Sequence, residues 1–280
     1  MPLVNLQAVL KKADEEHYAV GSFDVFNTEM LKGVIAAAEE TSSPVILAYA
    51  QVFEDTIAID SFAPVMVRMA QKAAVPVVVH LDHASTFEYI SRAVQCGFTS
   101  VMIDASEKPF EHNLASTKEV IELCRQSNVS VEAELGHVSG GEGTDNEDEY
   151  IYTDVSEAGR FVRETGVDAL AVAIGTVHGV YRKKPMLSLQ RLKEIKDRTQ
   201  IPIVLHGGSG LSDEDFKATI VNGVSKINIF TDLMLAAMER VQQDIDKDLS
   251  YLNQCANVVE AVKAEAIKKI KLFGSVGKAE

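Results

Sequence analysis

Eight short apolar runs, separated by amphipathic stretches, constrain the fold of this chain more than any other feature of its sequence. The runs are apolar along most of their length, which is typical of strands buried on both faces of a parallel sheet. Eight strand–helix units in 280 residues predict an α/β protein built as a (β/α)8 TIM barrel, with a doubly wound open sheet as the alternative. The predicted strands are Tyr18–Phe23, Pro44–Tyr49, Val75–Leu81, Ser100–Ile103, Val129–Leu135, Asp168–Ile174, Ile201–Leu205 and Ser225–Ile229.

Helical periodicity fills the stretches between these runs. No Pro-, Gly- or Ser-rich linker divides the chain, so we expect a single barrel domain over residues 1–280. Two segments exceed the minimal barrel. Residues 136–152 are Gly-rich and acidic, and a loop of this length is typical of a functional lid. Residues 249–280 form a C-terminal helical extension, in which an amphipathic helix over Ala256–Phe273 is expected to pack on the barrel or on a partner subunit.

The charge and cysteine content restrict the classes of partner. With 27 Lys+Arg against 41 Asp+Glu, the net charge is −14 at pH 7, which argues against nucleic acid or an anionic membrane as the main partner. Cys96, Cys124 and Cys255 are far apart, which favours a reducing compartment over a disulfide scaffold. No signal-peptide pattern is present, and no apolar run reaches the ~18 residues of a membrane span. We therefore expect a cytoplasmic protein without nucleic-acid or membrane partners.

Polar side chains collect where the predicted strands end, which is where TIM barrels carry their active sites. His83, His178 and His206 follow the third, sixth and seventh strands, and Asp82 precedes His83. Three imidazoles with an open fourth position form a catalytic zinc site. Each histidine taken alone is more typical of a hydrogen-bonded rim residue, but the three together beside Asp82 favour a metal. Two further carboxylates at strand ends are candidate metal ligands or, alternatively, salt-bridge or cap residues: Asp104 and Glu134.

Gly-rich turns follow the sixth, seventh and eighth strands. Gly179, Gly207, Gly208 and Ser209 can bring backbone N–H groups close to an anion. The loops after strands seven and eight hold the phosphate in many barrels. These turns therefore predict a phosphate-binding rim beside the histidines.

Five segments, in order, resemble the class II, zinc-dependent ketose-bisphosphate aldolases, similar to fructose- and tagatose-bisphosphate aldolases. Two correspond to the family's signatures, VPVVVHLDHA (Val75–Ala84) and VEAELGHVSGGE (Val131–Glu142). The others are AIGTVHGVY (Ala173–Tyr181), VLHGGSG (Val204–Gly210) and KINIFTD (Lys226–Asp232). The resemblance implies reversible retro-aldol cleavage of a phosphorylated ketose to dihydroxyacetone phosphate and an aldehyde, through a zinc-stabilised enediolate. It also implies a homo-oligomer, either a dimer or a tetramer.

The resemblance also implies roles for individual residues. Asp82 would be the acid/base at the hydroxyl across the cleaved bond, and Glu142 would exchange the proton at the dihydroxyacetone carbon. Catalytic zinc would be held by His83, His178 and His206, with Glu134 and Asp104 at a second or transient metal position. The ketone-side phosphate and enediolate would be bound by Gly179, Gly207, Gly208, Ser209, Asn228 and Thr231. Many family members also hold a monovalent cation, K⁺ or Na⁺, near this phosphate.

The far end of the substrate site departs from the family pattern. The family usually has an Arg near the C-terminus for a second phosphate, whereas this chain has Lys278 and no Arg there. A Phe-Asn-Val pattern usually ends the first strand, whereas here Asp24 replaces the Asn. A carboxylate at this rim would repel a phosphate. We therefore expect a ketose 1-phosphate without a distal phosphate, with fructose 1,6- or tagatose 1,6-bisphosphate as the alternative.

Other mechanisms and functions fit the sequence less well. A Schiff-base aldolase needs a lysine in the site, and Lys226 is the only lysine on a predicted strand. A metal-dependent hydrolase would leave the phosphate loops unexplained. A non-catalytic sugar-phosphate binding protein would be expected to have lost a metal ligand or the acid/base, yet Asp82 and all three histidines are present.

Overall fold

Eight parallel strands close into a barrel in the computed structural model, which describes residues 2–138, 152–179, 181 and 185–280. Each strand pairs with the next along the chain, and the last pairs with the first. This confirms the predicted (β/α)8 fold. The strands are β1 (Val20–Asp24), β2 (Val45–Ala50), β3 (Val77–Ala84), β4 (Ser100–Ile103), β5 (Ser130–Leu135), β6 (Ala169–Val172), β7 (Ile203–Leu205) and β8 (Val224–Ile229).

Helices surround the strands, and most of them begin at a side-chain cap. Asn27 accepts from the N–H of Met30, and Ser212 accepts from the N–H of Asp215, as expected for N-cap residues. The helices are α1 (Leu6–Glu16), α2 (Thr28–Glu40), α3 (Ile59–Lys72), α4 (Phe87–Gln95), α5 (Phe110–Arg125), α6 (Val155–Thr165), α7 (Leu189–Thr199), α8 (Asp213–Val221), α9 (Thr231–Asp244) and α10 (Tyr251–Phe273), with a short 3₁₀ helix at Gln51–Phe53.

Helix α1 precedes the barrel and closes its N-terminal end. Leu6 and Leu10 of α1 are buried in one cluster with Val20, Ile46 and Val78, which point inward from three strands. This apolar floor leaves the opposite end, where the strands finish, as the open end of the barrel.

The C-terminal helix α10 is longer than the sequence pattern predicts. It begins at Tyr251 rather than Ala256, because Ser250 caps it by accepting from the N–H of Asn253. Its inner face packs against α2 and α9. Among the described residues, no helix is both long enough and apolar enough to cross a membrane.

Candidate metal centre and active site

A cavity of about 910 Å³ opens at the carboxyl ends of the strands. Ten of the residues expected at the site line it, and His206 and Glu134 lie buried beside it. The lining residues are Asp24, Phe26, Ala50, Val52, Phe53, Thr56, Asp82, His83, Asp104, Glu107, His137, Val138, His178, Gly179, Gly207, Gly208, Ser209, Asn228, Phe230, Thr231 and Met234.

A backbone irregularity at the end of β3 brings two neighbouring side chains into this cavity. Successive residues of a regular strand point to opposite faces. His83 instead has a φ of 46°, and the pairing of β3 with β4 shifts register between Leu81 and Ala84. Asp82 and His83 consequently both line the cavity. A non-glycine residue in this left-handed region costs of order 1–3 kcal/mol, and such strain is concentrated at functional sites.

The three predicted zinc histidines converge from three strand ends. Each offers a ring nitrogen, and these nitrogens lie within 4.8 Å of one another. His206 Nδ1 and His83 Nε2 are 2.8 Å apart. The ring centroid of His178 lies 5.0 Å from that of His83 and 5.9 Å from that of His206. Three imidazoles around one point form a donor set suited to zinc.

Backbone contact between the loops after β6 and β7 keeps two of these histidines together. The Tyr181 hydroxyl accepts from the N–H of Val177 and donates to the carbonyl of Gly207, at 3.1 and 2.7 Å. Gly207 has a φ of 65°, and a Cβ there would lie 2.3 Å from the Val177 oxygen. Only glycine lets the two loops approach this closely. His178 directly follows Val177, and His206 directly precedes Gly207, so both histidines adjoin this contact.

A second donor group adjoins the histidines. His83 Nδ1 lies 2.8 Å from Asp104 Oδ2, and ligand atoms of His83, Asp104 and Glu134 fall within 4.8 Å of one another. Glu134 Oε1 accepts from the N–H of Val138, whereas Glu134 Oε2 is buried without a hydrogen-bond donor. A buried carboxylate oxygen without a donor beside three imidazoles has the chemistry of a cation ligand. The residues present therefore fit a divalent metal.

Glu132, which the sequence analysis did not assign to the site, lies directly beneath it. Glu132 Oε1 is 3.0 Å from His206 Nε2, so the other ring nitrogen, Nδ1, faces the histidine cluster. Lys226 Nζ lies 2.8 Å from Glu132 Oε2. The two groups form an ion pair, but their geometry is not that of a hydrogen bond. All three side chains are fully buried. The available signal was the two-residue spacing from Glu134, which places both glutamates on the same face of β5.

Comparison with known proteins agrees with this geometry. The profile of the family described as fructose-bisphosphate aldolase class-II matches residues 4–278. The chain belongs to the class II fructose-bisphosphate aldolase family. An Escherichia coli K12 protein called "Uncharacterized protein YdjI" is 47% identical over 271 residues, 96% of both chains. The fructose-bisphosphate aldolase of Geobacillus stearothermophilus is 41% identical over 288 residues, 100% of this chain and 99% of that protein. The crystal structure of the YdjI aldolase matches with a TM-score of 0.91 at 44% identity, covering 99% of this chain and 100% of that one.

The electrostatic field in this aldolase-family barrel favours a cation at the histidine cluster. Burial disfavours a charged imidazole, yet nearby carboxylates, Asp82 foremost, raise the pKa of His83 to about 10. Burial and the charge on His83 hold the pKa of His178 well below its ordinary value, so this ring is neutral. Burial and the charge on Asp104 raise the pKa of Glu134. The field that favours a proton on His83 also favours a metal ion in its place.

Two of the three aspartates that line the cavity, Asp82 and Asp24, have pKa values shifted in opposite directions. Burial disfavours the charge on Asp82, but nearby donors and positive groups, His83 foremost, together outweigh burial and hold the pKa of Asp82 well below its usual range. Asn228 Nδ2 lies 3.1 and 3.2 Å from the two Asp82 oxygens and donates to this carboxylate. Burial and the charge on Asp82 raise the pKa of Asp24 well above its ordinary value. Asp82 is therefore ionised, whereas the surroundings of Asp24 favour its protonated form.

The predicted phosphate residues line one side of the cavity. The Ser209 hydroxyl accepts from the N–H groups of Phe230 and Asp232, both at 3.3 Å. Because its lone pairs take these donors, the hydroxyl proton is available to an acceptor in the cavity. Thr231, at the first turn of α9, adds a helix N-terminus, which attracts anions. The Asn228 amide donates to Asp82, and its contact with the phosphate or enediolate stays a prediction.

Two further residues near the site are His137 and Glu142. His137, to which the sequence analysis assigns no role, also lines the cavity, and its Nδ1 is 3.0 Å from the hydroxyl of Ser106. Glu142 lies outside the described residues, so its role as a proton donor stays a prediction.

Proposed function

We propose that this family member reversibly cleaves a phosphorylated ketose to dihydroxyacetone phosphate and an aldehyde, with zinc as the catalytic metal. The convergence of His83, His178 and His206 beside an ionised, buried Asp82 carries this proposal. Asp82 Oδ2 lies 3.9 Å from His83 Nε2, so the carboxylate borders the position that the three ring nitrogens share.

The protein's own groups account for the proton transfer. Cleavage requires removal of the proton from the hydroxyl across the scissile carbon–carbon bond, and an ionised carboxylate can take it. Asp82 is ionised at neutral pH, and Asn228 fixes its orientation. A zinc ion bound by the histidines would supply Lewis acidity to the substrate's oxygens. Asp104 and Glu134 would serve a second metal position.

The phosphate of the dihydroxyacetone half would bind along the loops after β6, β7 and β8. Gly179, Gly207 and Gly208 offer close backbone approach, and Ser209 offers a free hydroxyl proton. The N-terminus of α9 at Thr231 adds a favourable dipole. The monovalent cation near this phosphate stays a prediction.

The described part of the cavity favours an uncharged far end of the substrate. No Lys or Arg is present among its described lining residues, and Phe26, Val52 and Phe53 make part of its wall apolar. Asp24 is expected to repel a phosphate less than the sequence suggests, because burial and Asp82 raise its pKa and favour its neutral form. The lack of cationic side chains in the described lining is thus the stronger support for a ketose 1-phosphate. The alternative, a bisphosphate substrate, is supported by a relative that is 41% identical and is named fructose-bisphosphate aldolase.

Three substrates separate these possibilities. We expect kcat/KM for retro-aldol cleavage of fructose 1-phosphate to exceed that for fructose 1,6-bisphosphate by about tenfold or more, a difference of about 1.4 kcal/mol. Fructose 6-phosphate, which lacks the 1-phosphate, is the control and should not be cleaved. A preference for fructose or tagatose 1,6-bisphosphate would refute the single-phosphate proposal and leave the aldolase assignment intact.

We also propose a cytoplasmic homo-oligomer, either a dimer or a tetramer. Helix α9 and the turn to α10 expose several large apolar side chains, and exposed apolar surface is typical of a protein–protein interface. They are Leu235, Met238, Ile245, Tyr251 and Leu252. Sedimentation of the wild-type chain and of Met238→Asp should show a smaller assembly for the variant. A monomeric wild-type protein would refute this proposal.

A further inference from the structure

The segment between β2 and α3, residues 51–58, forms a wall of the cavity. Val52, Phe53 and Thr56 of this segment line it, and Val52 is 79% exposed at its rim. The Phe53 ring lies 5.5 Å from that of Phe26 and 5.1 Å from that of Phe230, and both of these also line the cavity. The segment therefore contributes part of an apolar, aromatic surface, with the Phe53 ring at its centre.

This wall lies across the barrel from the loop that carries His178. In the closed order of eight strands, β2 is four strands away from β6 in either direction. If the dihydroxyacetone phosphate half occupies the loops after β6 to β8, the remainder of the substrate extends toward the β2 side. The 51–58 segment then contacts the aldehyde half.

The Glu54 carboxylate ties this segment to α4. Its Oε2 accepts from the Tyr89 hydroxyl at 2.6 Å and from the N–H of Ile59 at 3.0 Å, and its Oε1 accepts from Arg92 at 2.9 Å. Tyr49 also lies 3.3 Å from Oε2, but its single hydroxyl proton is closer to the Ile57 carbonyl, at 2.8 Å. One carboxylate thus joins α4 to the start of α3.

The groups around Glu54 are themselves fixed. Arg92 makes a forked contact with Asp60, in addition to the one with Glu54. A separate contact joins the beginning of the segment to the residue after β3, because Gln51 accepts from the N–H of Ser85 at 2.9 Å. Glu54 itself does not line the cavity. Its influence on a substrate would pass through Phe53 and its neighbours.

We propose that Glu54 is a positioning residue that sets the aldehyde specificity of this enzyme, by holding the wall at residues 51–58 against α4. The inference rests on the proposed aldolase function. Glu54→Gln tests it, because an amide has one acceptor oxygen. If the amide oxygen accepts from Tyr89 and Ile59, the NH₂ group faces Arg92; if the oxygen accepts from Arg92, the NH₂ group faces the other two donors. At least one contact is therefore lost. Misplacement of a substrate-positioning group by about 1 Å can cost up to about a hundredfold in rate.

Two reactions divide the site into its halves. Deuterium exchange into dihydroxyacetone phosphate needs no aldehyde, and we expect Glu54→Gln to retain it within about twofold. Condensation with unphosphorylated hydroxyaldehydes of two, three and four carbons needs the wall. We expect the kcat/KM ratio between the best and the worst aldehyde to fall about tenfold or more, mainly through a higher KM for the best.

Asp55→Asn is the matched control, because it removes the same charge one residue away. Asp55 is exposed, and within the described ranges it makes no hydrogen bond or ion pair. It should leave both reactions unchanged. Tyr89→Phe removes one donor to Glu54 and should shift the aldehyde ratio in the same direction, which guards against misfolding of Glu54→Gln.

The outcomes separate the two proposals. An unchanged aldehyde ratio in folded Glu54→Gln, or an equal loss in exchange and condensation, would overturn the positioning role. Absence of exchange in the metal-loaded wild-type protein would instead refute the proposed function.

Discussion

The buried ion pair beneath the histidines makes a sharp prediction for Glu132→Gln. The Glu132 carboxylate lies 3.0 Å from His206 Nε2 and forms an ion pair with Lys226 Nζ at 2.8 Å. All three side chains are fully buried. The substitution keeps the shape of the side chain and removes its charge. A glutamine that still accepts from His206 must turn its NH₂ group toward the ammonium group of Lys226.

Two magnitudes follow from these contacts. Loss of one partner of a buried ion pair costs about 3–5 kcal/mol, because the remaining charge is left uncompensated. The free energy of unfolding of the metal-free protein should fall by this amount. Loss of a carboxylate that orients a metal-binding histidine weakens metal affinity by about 10–100-fold, or about 1.4–2.7 kcal/mol.

Denaturant unfolding of the metal-free protein and competition of zinc with a chromogenic chelator measure the two effects separately. The double variant Glu132→Gln/Lys226→Met removes the stranded charge, so it should recover most of the stability and little of the zinc affinity. Zinc affinity within about twofold of wild type in stable Glu132→Gln would refute the orienting role of Glu132.

Three further changes have distinct expected results. Asp82→Asn should lower kcat by about 10²–10⁴-fold while zinc still binds, since it removes the proposed base and no histidine; a loss below tenfold would contradict this role. Zinc affinity should rise by about tenfold per pH unit between about pH 6 and 8, because zinc must displace the proton that His83 retains up to a pKa of about 10; calorimetry that detects no proton release would contradict it. Gly207→Ala should lower the free energy of unfolding by more than 1 kcal/mol, roughly, because its Cβ meets the Val177 oxygen at 2.3 Å. Gly179→Ala, with open space around its Cβ, is the control and should cost less.

Sequence periodicity was sufficient for the barrel, because strands buried on both faces leave a strong signal. It placed His178 and His206 at strand ends for the same reason. It could not anticipate how Asp82 and His83 both reach the cavity, since alternation along a strand sends neighbours to opposite faces. The left-handed backbone at His83 and the register shift beside it resolve this.

Charge states and interior contacts were less accessible to sequence reasoning. Asp24 reads as a negative rim residue, yet burial and Asp82 raise its pKa, so its charge depends on residues distant along the chain. Glu132 reads as part of a buried strand, and its role emerges only when β8 brings Lys226 to it. Such pairings depend on the closure of the barrel, which no local pattern encodes.

Deuterium exchange into dihydroxyacetone phosphate, followed by proton NMR in heavy water, tests the central claim most directly. It reports proton abstraction from the dihydroxyacetone half and requires no knowledge of the aldehyde. We predict exchange that stops when a chelator removes the metal and returns on addition of zinc. Exchange that persists in the metal-free protein, or its absence from fully zinc-loaded protein, would contradict the proposal that zinc on His83, His178 and His206 serves an aldolase reaction.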